Sequence, residues 1–266
     1  MLTEEQQAFY AENGYLLVKG LLSKAEATTY RSACHALAER QAAQRNIDAT
    51  WGSARQSGAS DTKILHCHDV QFQDALFSRL IVDPRLTDVA VAVIGSPNVQ
   101  LHHTKMFIKP PEKGSPFPMH QDQPFFPHDN HSMIAAIVHF DDAPLEKGCV
   151  RVVPGSHKRG PIAHLADGGW HLPFDQYPLE AAVACPAEAG DVLFFSYLTI
   201  HGSGVNVSNE ARTTILIQMR DPSDPPSIKT HESRGQGMML RGIDPPRVQA
   251  KPAEAGSTMG GTMGMA

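Results

Sequence analysis

Apolar positions recur at helical spacing through roughly the first hundred residues and at strand-like spacing beyond them. Thr3-x-x-Gln6 is a capping box ahead of a short helix through Phe9 and Tyr10, which Gly14 stops before the apolar run Tyr15–Val18. Ser23-x-x-Glu26 repeats the signature and opens an Ala-, Glu-, Arg- and Gln-rich segment ending near Asn46, a predicted helix of about five or six turns. Residues 50–63 are rich in Gly, Ser and Gln without period, and read as a mobile loop suited to a lid. Helical spacing returns over 72–94, with Pro84 opening a second helix that Gly95 ends.

From Val99 the pattern shortens to β-rich runs between Pro and Gly: VQLHHTKMFIK, SMIAAIVHF, CVRVVPG, AAVAC, DVLFFSYL and TTILIQM. Such runs favour an antiparallel sandwich or barrel over an alternating parallel sheet. With no linker in sight, residues 1–242 read as one domain, a helical layer over 1–98 and a β core over 99–221. Residues 243–266 lose apolar period and read as a weakly ordered tail.

Composition narrows the class. Of 266 residues, 41% are hydrophobic and 19% charged, which excludes a disordered, collagenous or coiled-coil chain. A net charge of −5 disfavours nucleic acid and acidic lipid surfaces as partners. The opening twenty residues are acidic where an export signal is basic and then apolar, and no apolar stretch approaches the roughly 20 residues of a membrane span. Cys34, Cys67, Cys149 and Cys185 lie far apart with no C-x-x-C pair, so free thiols in a reducing cytoplasm are expected.

Fourteen histidines stand against two tryptophans, and spacing selects among them. In Met119-His120-Gln121-Asp122, an extended backbone would put His120 and Asp122 on one face. His201 ends the apolar run DVLFFSYLTI ahead of a glycine-flanked turn. Two histidines and a carboxylate form the facial triad of non-haem Fe(II), leaving positions for a bidentate cosubstrate and O2. Eleven residues on, Arg212 opens a strand whose one face carries Arg212, Thr214, Leu216 and Gln218. Facing inward, that guanidinium needs an anion, and a carboxylate matches its fork; an exposed arginine paired with Glu210 or Asp191 is the alternative. Ser203 adds a hydroxyl two residues after His201.

Together these residues resemble the phytanoyl-CoA dioxygenase family of Fe(II)/2-oxoglutarate oxygenases. The resemblance spans roughly residues 2–221: the opening LTEEQQAFYAENGYLLVKGLL, the KPP loop, MHQDQPFF, DDAPLEKGCVRVVPGSHKRG, AGDVLFFSYLTIHGSGVN and Arg212. It implies a double-stranded β-helix (jelly roll, cupin-like) buttressed by the N-terminal helices, with His120, Asp122 and His201 on iron and Arg212 on the distal carboxylate of 2-oxoglutarate. Ser203, and His103 and Lys105 on the strand before the HQD motif, are further candidates for the cosubstrate, the latter two also for the substrate. The implied reaction is hydroxylation of a small-molecule C–H bond, consuming O2 and 2-oxoglutarate and forming succinate and CO2. One departure changes a pocket wall: many relatives carry tryptophan where this chain reads SMIAAIVHFDD. Two other readings stand beside it, a cupin-like metalloenzyme without 2-oxoglutarate and a non-catalytic jelly-roll binding module. PGSHK reads as a turn bonded to its own backbone through Ser156 and His157. His66 and His68 are candidates for the pocket mouth. Apart from KPPEK and HKRG no basic cluster offers itself to the phosphates of a CoA thioester, so a small polar metabolite is expected; oligomeric state is not readable.

Overall fold

The structure, a computed structural model, describes residues 2–56, 61–230 and 232–245. Both capping boxes form: Thr3 and Ser23 accept from the backbone N–H of Gln6 and Glu26 at the starts of α1 (Glu4–Asn13) and α2 (Lys24–Ala42). Between them β1 (Tyr15–Val18) begins after Gly14, whose left-handed φ of 76° stops α1. Residues 50–63 are not an unstructured loop throughout. They contain α3 (Gly52–Gln56), and the rest of that expectation partly lies outside the described residues. β2 (Leu65–His68) follows, unheralded in the sequence because four residues give little period. The segment 72–94 divides into α4 (Ala75–Ile81) and α5 (Pro84–Ile94), since Asp83 caps α5 and Pro84 cannot continue the preceding turn.

The core strands are β3 (Val99–Lys109), β4 (Phe117–His120), β5 (Ile134–His139), β6 (Val150–Val152), β7 (Val183–Cys185), β8 (Val192–Ser196), β9 (His201–Ser203) and β10 (Arg212–Arg220). A short β11 (Met239–Arg241) follows. They form two antiparallel sheets. Seven strands pair in the order β1-β8-β5-β10-β3-β11, with β2 also on β3, and four in the order β4-β9-β6-β7. This is the jelly-roll arrangement with one face of the larger sheet under the helices.

The alternation on β10 explains that layering. Thr213, Ile215, Ile217 and Met219 point to the helical side, where the three apolar residues join Leu37, Phe77, Leu80 and Leu86 in one core. Burying each such aliphatic side chain contributes roughly 1.5–3 kcal/mol. The opposite residues, Arg212, Thr214, Leu216 and Gln218, face the space between the sheets.

The PGSHK turn departs from its sequence reading. Ser156 begins a single 3-10 turn, and its buried hydroxyl accepts from Ile200 N–H, while His157 reaches the Ala11 carbonyl. The turn is covered by other segments, so its side chains complete their backbone groups rather than its own. All four cysteines are buried and free. Among the described residues no helix is long and apolar enough to cross a membrane.

Candidate metal centre

A cavity of about 290 Å³ opens between the sheets, and His120, Asp122, His201, Arg212, Ser203, His103 and Lys105 all line it. The sequence candidates therefore converge on one space. His120 and His201 sit directly opposite each other on β4 and β9. Asp122 arrives differently from the expectation: β4 ends at His120, and Asp122 has a helical backbone (φ −75°, ψ −22°) in the turn that follows. A turn, not strand alternation, brings it beside His120. Its N–H is fixed to the Tyr197 carbonyl at 3.0 Å.

Asp122 Oδ1 lies 3.6 Å from His120 Nε2 and 3.8 Å from His201 Nε2, and one donor atom from each residue falls within 4.8 Å of the others. Each imidazole is oriented from behind. His120 Nδ1 donates to the Pro118 carbonyl at 2.7 Å and His201 Nδ1 to that of Thr199 at 2.9 Å, because a carbonyl can only accept. Both Nε2 lone pairs consequently face the centre, as metal ligation requires. Gln218 Nε2 donates to Asp122 Oδ2 at 2.6 Å, leaving Oδ1 toward the histidines.

Charge agrees with the geometry. Burial alone would raise the Asp122 carboxyl, yet His201, His120 and Lys105 together hold it below the ordinary carboxylate range. Burial, reinforced by His120, pushes His201 down to about 4, so it is a neutral ligand at pH 7. Three donors of this kind, two imidazole nitrogens and one carboxylate oxygen, fit a ferrous ion with open positions.

Arg212 lies at the other end of the cavity and is 3% exposed. It is not the surface ion pair of the alternative reading. Glu210 pairs with Lys147, and Asp191 accepts from the N–H groups of Gly20 and Glu188. The guanidinium donates to the Gly148 carbonyl, and its Nε has no hydrogen-bond partner among the described residues. Burial lowers its pKa to about 10, so it stays charged at pH 7. Beside it, Ser203 Oγ accepts from Lys109 Nζ at 2.8 Å. That occupies a lone pair and leaves the Ser203 hydroxyl proton to be donated elsewhere. Burial and Arg212 push the Lys109 amine well below its ordinary value.

Four contributors escape the sequence reading. Gln218 was placeable on the Arg212 face by period two, but nothing linear links it to Asp122. Lys109 pairs with Arg212 across strands, a register that only the fold sets. Gln121, within the HQD motif, turns away and clamps the Gly160 and Leu198 carbonyls and the Ile162 N–H. Trp51 packs on His120 at 4.8 Å and on Phe117 and Phe125, and all four line the cavity. His66 and His68 also line the cavity, and Ile137 holds the wall on the strand that lacks tryptophan.

Comparison with known proteins agrees with this geometry. The phytanoyl-CoA dioxygenase (PhyH) family model matches residues 10–214. The peroxisomal phytanoyl-CoA dioxygenase of Bos taurus is 30% identical over 239 residues, 83% of this chain and 69% of the relative. The L-proline trans-4-hydroxylase of Streptomyces griseoviridis is 24% identical, over 82% of this chain and 86% of that protein. A crystal structure of the epimerase SnoN in complex with Fe3+, alpha ketoglutarate and nogalamycin RO superposes with TM-score 0.69 at 26% identity, covering 90% of this chain and 98% of that one.

Proposed function

We propose, from the premise that the chain belongs to the phytanoyl-CoA dioxygenase family, which residues of this non-haem Fe(II)/2-oxoglutarate-dependent dioxygenase perform its chemistry and on what kind of molecule. His120, Asp122 and His201 hold the iron. The observation that carries this is the pair of back-bonded imidazoles, which turn both Nε2 atoms toward one carboxylate oxygen. Iron with 2-oxoglutarate and O2 supplies the oxidation of an unactivated C–H bond, with succinate and CO2 as co-products.

The chain's own residues do the positioning. Arg212 receives the distal carboxylate of 2-oxoglutarate on its unpartnered edge, and Ser203, held by Lys109, donates its hydroxyl to the same group. Gln218 keeps one Asp122 oxygen occupied so that the other stays on the metal. His103 and Lys105 stand on the Asp122 side of the same wall, in reach of whatever meets the iron there. Trp51, Phe117 and Phe125 exclude water from the reacting bond. The substrate is a small molecule, consistent with a cavity of about 290 Å³ that also takes the cosubstrate. Four buried free thiols support a reducing, cytoplasmic setting.

The test is succinate release from 2-oxoglutarate by protein loaded anaerobically with Fe(II) and then exposed to air, with metal binding titrated in parallel. Asp122→Ala is expected to lose both. Turnover by that variant at the wild-type rate would overturn the ligand assignment.

A further inference from the structure

Resting on the reading just given, the charges around the cavity identify the substrate further. The two positive charges of ferrous iron and the one of Arg212 meet the two carboxylates of 2-oxoglutarate and the carboxylate of Asp122. Those charges cancel. Lys109 turns its amine into Ser203 and Gly204 and away from the open half. Lys105 is left over: it lines the cavity, lies over the Phe126 ring at 5.7 Å, and among the described residues forms no salt bridge. Asp122, its one charged neighbour, is committed to the metal.

The surroundings of Lys105 are built for an oxyanion. On β2, paired with β3, His68 stands directly opposite Lys105 and His66 opposite Phe107. His66 Nδ1 is buried with no hydrogen-bond partner among the described residues. A cation with imidazoles beside it, half-buried in the wall of a cavity, matches a carboxylate or phosphonate. Trp51, Phe117 and Phe125 line the same cavity and suit an apolar carbon frame.

We propose that the substrate is a compact organic acid whose carboxylate or phosphonate pairs with Lys105, flanked by His66 and His68, and whose hydrocarbon part lies against Trp51. Because Lys105 is on the Asp122 side of the cavity, the C–H bond presented to the iron is close to the acid group.

The experiment uses the anaerobic enzyme loaded with Fe(II) and 2-oxoglutarate, and reads the fluorescence of the tryptophans, of which Trp51 lines the cavity. 2-Oxoglutarate binding is titrated first. Phenylacetate and 3-methylbutanoate are then compared with their primary amides, and phenylphosphonate forms a separate arm that distinguishes the two anion types. Acids are expected to quench saturably and at least about tenfold more tightly than amides, the scale of one hydrogen bond to a charged group. Lys105→Met is expected to erase that preference and Lys105→Arg to keep it, with 2-oxoglutarate affinity in both within about threefold of wild type. Equal binding of acids and amides, no saturation by any acid, or a Lys105→Met defect falling on 2-oxoglutarate instead would overturn the proposal. Failure of wild type to bind 2-oxoglutarate at the first step would instead sink the underlying oxygenase reading, so the two failures are separable.

Discussion

The two ends of the cavity are made in different ways. At the Arg212 end every contributor is on a paired strand: Arg212 opposite Lys109 on β10 and β3, and Ser203 on β9 between β4 and β6. Position there is set by ladder hydrogen bonds shared with the whole sheet. At the mouth, Trp51 precedes the five-residue helix α3, which is tied to the body by contacts with another loop, Ser53 N–H to the Gly168 carbonyl and Gln56 to Asp167. A Cβ added at Gly169 would come 3.3 Å from the Trp51 ring, so a larger residue there would press on the indole. The difference is mechanical. On the proposed reading, a cosubstrate of fixed shape would be met by groups that cannot move independently, and the substrate by groups whose supports can change without disturbing the sheet.

Substitutions on each side should separate the two ends. The largest effect is expected from Arg212→Ala, which removes a buried charge facing the cosubstrate: the KM for 2-oxoglutarate should rise about a hundredfold or more in steady-state succinate assays. Trp51→Ala should leave that KM nearly unchanged, and an equal rise in both variants would erase the distinction. Gln218→Ala acts between the ends, on Asp122 of the proposed metal site. Its loss frees the second Asp122 oxygen and should weaken Fe(II) affinity about 10- to 100-fold by anaerobic titration, as removal of an outer partner of a ligand does. Trp51→Ala should lower the affinity for acids at the mouth by about tenfold, the scale set by an aromatic side chain's buried area.

The smallest expected effect is on stability. Burial, and the nearby Arg212 charge, hold His139 down to about 3, whereas in the unfolded chain it titrates near ~6.5. Below that value the unfolded state takes up the proton first, so this contribution is complete above pH ~6.5 and shrinks as pH falls toward 3. For His139 alone, about 2 kcal/mol should be lost from metal-free protein between pH ~6.5 and 5, at ~1.36 kcal/mol per pKa unit. Urea midpoints across that range measure it, and a flat profile would show that the site is hydrated. His66, held at about 4 by burial and Lys105, should act in the same direction at the mouth.

How much of this was written in the linear chain follows from which interactions are local. The capping boxes at Thr3 and Ser23, the end of α1 at Gly14, and the start of α5 at Pro84 are determined within a few residues, and all were legible. The long strands β3 and β10 were legible because nine or more residues carry a clear pattern, and the alternation along β10 sorted its residues into two faces, of which only the fold decided which is core and which lines the cavity. His120, Asp122, His201 and Arg212 could be picked out from residue type and spacing, and the fold brings all four to one cavity. The four-residue β2 and β4 and the three-residue β9 and β11 carry too few residues for a period to emerge.

The chain by itself thus determined its helical caps, its long strands and the set of groups able to hold a metal and a carboxylate. Only the tertiary structure decided that Asp122 reaches the histidines through a turn, that Gln218 fixes it from 96 residues away, and that Lys109 stands behind Ser203 from 94. Those contacts depend on strand register and on the spacing between two sheets. Both are settled by the packing of the whole core, and no local stretch of sequence encodes them.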